Sequence, residues 1–157
     1  MLASLGGISA TWDIILFLCL SSILFFLGVS KGKNRIKFVI LALYIDIVLF
    51  GVLPLNWIDK NFPVLSSPFA YTSVFVISTL ILLYFLQNIF RIEDNRGRSS
   101  IKTLFLSFIT AGFIMYILVS QISPATTTFS AIILKIFYQT NASWLWNIIP
   151  ILSIILF

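Results

Sequence analysis

Residues 36–55 read IKFVILALYIDIVLFGVLPL, twenty positions with one acid and one base. In a bilayer core the backbone finds no water, so only helices and closed barrels satisfy its N–H and C=O groups. A barrel strand alternates polar and apolar residues, and this stretch does not. As a helix it is about 30 Å long, the thickness of the hydrocarbon core. The expectation is an all-α integral membrane protein.

The rest of the chain agrees with that stretch. It is 60% hydrophobic and 10% charged, with sixteen Phe in 157 residues, whereas a soluble domain carries about 45–50% apolar and 25% charged residues. A water-soluble fold would have nowhere to bury such a surplus. At this length a single domain is expected, here a small bundle of spanning helices.

The charges are arranged rather than scattered. Eight of the ten Lys and Arg form two clusters, Lys31/Lys33/Arg35/Lys37 and Arg91/Arg96/Arg98/Lys102, leaving only Lys60 and Lys135 elsewhere. Cytoplasmic loops hold the excess of Lys and Arg, and acidic residues such as Glu93 and Asp94 count for little. These eight residues are therefore topology determinants that place both loops on the cytoplasmic side of a multi-pass cell-membrane protein and the N-terminus outside. The net charge of +5 follows from this layout and needs no nucleic-acid partner; the partners implied are the lipid bilayer, copies of the chain and other membrane proteins.

Four long spans are expected, at about 11–29, 36–55, 69–90 and 101–122. The residues before the first span lack the basic start of a cleavable signal peptide, so that span is expected to remain. Trp57 suits the interfacial belt, and residues 58–68, with two prolines and the Ser66-Ser67 pair, read as an outer loop. Beyond Pro124 the pattern shortens. Residues 129–138 read as an interfacial or re-entrant helix around Lys135, and residues 143–157 as a short C-terminal re-entrant or fifth membrane segment, capped by Asn141 or Ser143. Asn141-Ala142-Ser143 also fits a glycosylation sequon, for which helix capping is the better explanation. No internal repeat stands out beyond two helical hairpins of similar size.

Asp46 is the one charge deep inside a span. A carboxylate there costs about 2.5–3.5 kcal/mol, against roughly 4–7 kcal/mol supplied by the Leu, Ile, Val and Phe residues around it, so the helix still inserts. Two explanations stand open. Asp46 is either a protonated acid that bonds helices together, with Ser107 and Thr110 as partners and Ala42 allowing a close neighbour, or a site that handles protons or ions. Asp13 suits a helix start at the outer interface. The stripe Ser107-x-x-x-Ala111 with Gly112 suits tight helix packing.

Catalytic machinery is not legible. With no His in the chain the commonest metal ligand and general base is missing, there is no G-x-S-x-G, and Asp13 and Asp46 lie at different depths. Cys19 is the only cysteine and sits in an apolar run, where it acts as a small hydrophobe. No catalytic, cofactor or metal residue is assigned, and a non-enzymatic protein is expected.

Trp12-Asp13-Ile14-Ile15-Leu16, followed by Gly28-x-x-x-Gly32 among basic residues, resembles the start of the colicin V production protein family, bacterial inner-membrane proteins of four-span layout. Residues 96–120 are similar in position to that family's last span, although only Gly97 and Gly112 stand for its glycines, and residues 126–157 have no counterpart. The resemblance implies a role in secretion or envelope homeostasis and brings no catalytic residues. The other functions in view are a subunit of a proton-coupled transporter or channel with Asp46 as the titrating group, and a small scaffold or assembly factor.

Overall fold

The computed structural model describes residues 12–52, 68–90, 100–121, 130–137 and 140–157. They form six helices: α1 (Trp12–Lys31), α2 (Lys33–Val52), α3 (Pro68–Ile89), α4 (Ser100–Gln121), α5 (Ala131–Phe137) and α6 (Thr140–Leu156). The fold is all-helical among the described residues, as apolar runs without period-two alternation require.

Local chemistry explains the junctions. Only Gly32 separates α1 from α2, at φ 93°, a left-handed conformation that a side chain disfavours. Its carbonyl accepts the Arg35 N–H at 3.2 Å, which starts the next helix. One turn earlier, a Cβ on Gly28 would run into the side chains of Ile36 and Thr103. Both glycines of the Gly28-x-x-x-Gly32 motif thus have structural work, one for contact and one for the turn. Pro68 opens α3, where its missing N–H would have been unpaired in any case.

Helix α4 is the hub, in contact with α1, α2, α3, α5 and α6. Its sequence explains this. Ser107, Ala111 and Gly112 let neighbours approach, and all three are buried together with Leu106, Phe113, Met115, Ile117 and Val119. Gly112 backs onto the ring of Trp146 from α6.

Ring contacts set the directions. Phe38 and Phe90 lie 5.6 Å apart and Phe50 and Phe75 5.2 Å apart, so α2 and α3 run antiparallel. Ile36 and Ile40 pack with Leu106 while Tyr44 meets Phe113 at 4.7 Å, so α2 and α4 run parallel. Gly28 beside Thr103 sets the end of α1 against the start of α4. Consequently Lys31, Lys33, Arg35, Lys37 and Lys102 gather at one end of the bundle. Arg91, Arg96 and Arg98 lie outside the described residues, as do the outer loop 58–67 and Trp57.

Three helices are long and apolar enough to cross a membrane: Trp12–Lys31, Ala70–Ile89 and Ile101–Ser120. Of the four long spans expected, the second does not reach that standard, because Lys33, Arg35, Lys37 and Asp46 all fall within α2.

The C-terminal region is more regular than its composition indicates. Helix α6 starts at Thr140, which puts Asn141 and Ser143 inside its first turn rather than ahead of it as caps. Three hydrogen bonds join it to α2: Lys33 Nζ donates to the Phe157 carbonyl at 2.9 Å, Lys37 Nζ to the Ile154 carbonyl at 2.9 Å, and Tyr44 Oη to the Asn147 carbonyl at 2.5 Å. The paired numbers rise on one helix as they fall on the other, so α6 is antiparallel to α2, and the same offset carries Thr140 to the level of Gly51. The 17 residues of α6 pack chiefly on α4, as Gly112 against Trp146 and Phe105 against Phe157 show, and α6 reaches α2 through the long side chains of Lys33, Lys37 and Tyr44. The expected short helix near Lys135 is α5, seven residues long.

Candidate functional site

Asp46 has no exposed surface. Its apolar surroundings come from the helix hydropathy, and its partners come from the antiparallel register of α2 and α3. Oδ1 accepts the hydroxyl of Ser78 at 2.6 Å and Oδ2 the hydroxyl of Thr79 at 2.5 Å. No residue of α3 is charged, so the carboxyl group meets neutral dipoles from that helix.

The same hydroxyls have a second acceptor. Ser78 Oγ and Thr79 Oγ1 each lie 2.9 Å from the Phe75 carbonyl, the usual partner of a Ser or Thr inside a helix. A hydroxyl carries one proton and two lone pairs. Each can therefore donate to Asp46 or turn back to Phe75, and in the second case presents a lone pair to the carboxyl group. Two hydroxyls, one carboxyl and one carbonyl make a polar cluster inside an apolar hairpin. Asp46 is fully buried, whereas Ser78 and Thr79 are half-buried.

Ser107 and Thr110, the partners expected from the sequence, are buried but turned elsewhere. They donate to the carbonyls of their own helix, Thr103 at 2.8 Å and Leu106 at 2.7 Å. The Ser78-Thr79 pair was missed because its relation to Asp46 depends on hairpin register. Its signal is two adjacent hydroxyls in the middle of an otherwise apolar run, VFVISTLILLY, at residues 74–84.

Asp13 stands in the first turn of α1, as expected of a helix start. It is fully buried, with Oδ2 accepting the Ser130 N–H at 2.7 Å and Oδ1 that of Ile14 at 3.0 Å. Ser130 precedes α5, and its hydroxyl and carbonyl accept from Ile133 at 3.4 Å and Leu134 at 3.0 Å. Asp13 thus fastens the start of α5 to α1. Trp146 Nε1 fastens the other end by donating to the Ile136 carbonyl at 3.1 Å.

The basic residues divide. Lys33 and Lys37 bind the last carbonyls of α6, which lack partners within a helix and carry its negative dipole end. Lys31 and Lys102 are exposed. Cys19 is exposed on α1, which faces lipid if that helix spans. Among the described residues no group of three or more His, Cys, Asp or Glu is arranged to hold a metal ion. No family model matches this chain, and no curated protein or solved structure is detectably similar to it.

Proposed function

We propose that this chain is a non-enzymatic integral membrane protein of the bacterial cytoplasmic membrane that supports secretion or envelope homeostasis through helix contacts. The N-terminus lies outside and the basic loops in the cytoplasm, as the positive-inside rule requires. Helices α1 to α4 are its four long spans and α6 a fifth. The bonds from Lys33 and Lys37 to the end of α6 support that fifth crossing, because they bring the C-terminal end to the basic end. The role in secretion or envelope upkeep follows from the resemblance to the colicin V production protein family.

The observation that carries a contact-based role is where the one deep charge is spent. Asp46 is bonded within the chain, holding α2 to α3. The far face of α3, with Ile77, Leu80, Ile81, Tyr84 and Phe85 exposed, remains for lipid, a second copy or another membrane protein. Extraction in mild detergent followed by co-purification tests this. A complex with itself or with envelope proteins is expected, and a monomer without any companion contradicts the reading.

The fully buried Asp46 carboxyl group between two hydroxyls favours a second reading, a subunit of a proton-coupled transporter or channel with Asp46 as the titrating group. Asp46→Asn separates the two. Asn still accepts and donates hydrogen bonds, so a packing role survives the change while proton-coupled flux is lost.

A further inference from the structure

We propose that the groove between the start of α2 and the end of α6 binds one anionic phospholipid, with its phosphate at Asn34 and Lys37 and an acyl chain along Phe38, Leu41 and Ile154. The proposal goes beyond the contact-based role and rests on the chain spanning the membrane, since only then does the groove meet lipid.

Helix spacing sets the shape. Asn34, Lys37, Phe38 and Leu41 recur at the i, i+3, i+4, i+7 interval that puts them on one face of α2. With Ile154 of α6 they line an open groove of about 250 Å³. Phe38 also meets Phe90, just past the end of α3, with ring centroids 5.6 Å apart. Residues from two neighbouring helices thus border the stripe.

Polarity changes along the groove rather than across it. Asn34 and Lys37 stand at the basic end, and Phe38 and Leu41 follow toward the middle of the span. From Asn34 to Leu41 the helix rises about 10 Å, a polar step followed by an apolar run. That is the order of a headgroup on its acyl chain. A partner helix seated there would meet an ammonium group and an amide where it needs an apolar seam, and a free anion would gain nothing from the apolar wall.

Charge sets the headgroup. Lys37 Nζ gives one hydrogen to the Ile154 carbonyl at 2.9 Å, and an ammonium group carries three, so two remain for phosphate oxygens. Lys33, one turn earlier, adds a second positive charge. The only acids among the described residues are Asp13 and Asp46, and they are bonded to Ser130 and to α3. No carboxylate among these side chains cancels the lysines. Basic pockets between spanning helices bind anionic headgroups on the cytoplasmic side, where the leaflet is rich in them.

The test is native mass spectrometry of the full chain in mild detergent with equal amounts of phosphatidylglycerol and phosphatidylcholine. One phosphatidylglycerol is expected to be retained at least about tenfold better than phosphatidylcholine, and glycerol phosphate, a headgroup without chains, should not displace it. Asn34→Glu puts a negative charge at the phosphate position without touching the bonds of Lys33 and Lys37 to α6, and should abolish the preference with helical content and elution volume unchanged. Leu41→Trp fills the groove from an exposed position and should remove the bound lipid. Lys31→Met, in the same basic cluster, should keep it. Equal retention of the two lipids, unchanged binding in Asn34→Glu and Leu41→Trp, or equal loss in Lys31→Met overturns the proposal. So does displacement by glycerol phosphate, or a dimer that phosphatidylglycerol leaves intact and Leu41→Trp breaks, which would give the groove to a second copy. Alkaline carbonate extraction of membranes keeps the two readings apart: a chain that stays in the membrane without preferring phosphatidylglycerol sinks only the lipid site, and a chain that is extracted sinks the spanning reading.

Discussion

Lys37 donates from its ammonium group to the carbonyl of Ile154 at 2.9 Å, so a residue that opens α2 also closes α6. Lys33 repeats the contact one turn away, on Phe157. Two cations from one helix thus meet the negative dipole end of another, and their positive charge has a structural use besides orientation.

Removing both ammonium groups should loosen α6. Hydrogen bonds from charged donors are worth about 1.5–3 kcal/mol each, and partly exposed ones less. Lys33→Met with Lys37→Met is expected to lower unfolding stability in detergent by about 1–3 kcal/mol. Lys31→Met, at an exposed position in the same cluster, should change it little. Equal effects from the two variants would show that total charge, not these two bonds, matters.

Gly112 should tolerate no side chain. A Cβ there would fall on the ring of Trp146, which is held by its bond to Ile136 and packed 4.7 Å from Phe137. Gly112→Ala is expected to cost about 1–3 kcal/mol through overpacking, despite the better helix propensity of Ala. Combined with Trp146→Ala, the cost of Gly112→Ala should largely vanish. A double-mutant cycle on unfolding free energy measures this coupling, and strict additivity would refute the contact.

Asp13→Ala should free the start of α5. The Ser130 N–H that it binds at 2.7 Å would lose its acceptor, at a cost of about 1–3 kcal/mol if it stays buried. Hydrogen exchange read by mass spectrometry should then quicken in α5 and remain unchanged in α2. Asp13→Asn, which keeps one acceptor oxygen, should fall between the two. Uniform quickening throughout the bundle would mean that Asp13 supports more than α5.

The outline of this fold was legible because lipid allows few solutions. Hydropathy alone marks α1, α3 and α4, and the motif Gly28-x-x-x-Gly32 marks the turn that Gly32 makes. Asp46 also stood out, since a charge amid Leu, Ile and Val is conspicuous. Its partners did not, because Ser78 and Thr79 lie 32 and 33 positions away and meet it only through the register of two antiparallel helices. Ser107 and Thr110 were reasonable by type and depth, yet each satisfies its own hydroxyl within α4. Asp13 was legible as a helix start, but not its bond to Ser130, 117 positions away. The short C-terminal segment expected at 143–157 is the apolar part of α6, Trp144–Leu156, but nothing local tells that lysines of α2 receive its far end.

The final prediction concerns that far end. If α6 runs antiparallel to α2 through the whole membrane, Phe157 must emerge on the side of Lys31 and opposite Val52, the last described residue of α2. Cys19→Ser removes the only native thiol and leaves a background for single cysteines. Ser30→Cys, Val52→Cys and Phe157→Cys then probe the three places with a membrane-impermeant maleimide on sealed inverted and right-side-out vesicles. Ser30→Cys and Phe157→Cys should label in inverted vesicles, and Val52→Cys in right-side-out ones. Labelling of Phe157→Cys together with Val52→Cys would mean that α6 turns back within the membrane, which the bonds from Lys33 and Lys37 to its last carbonyls do not permit.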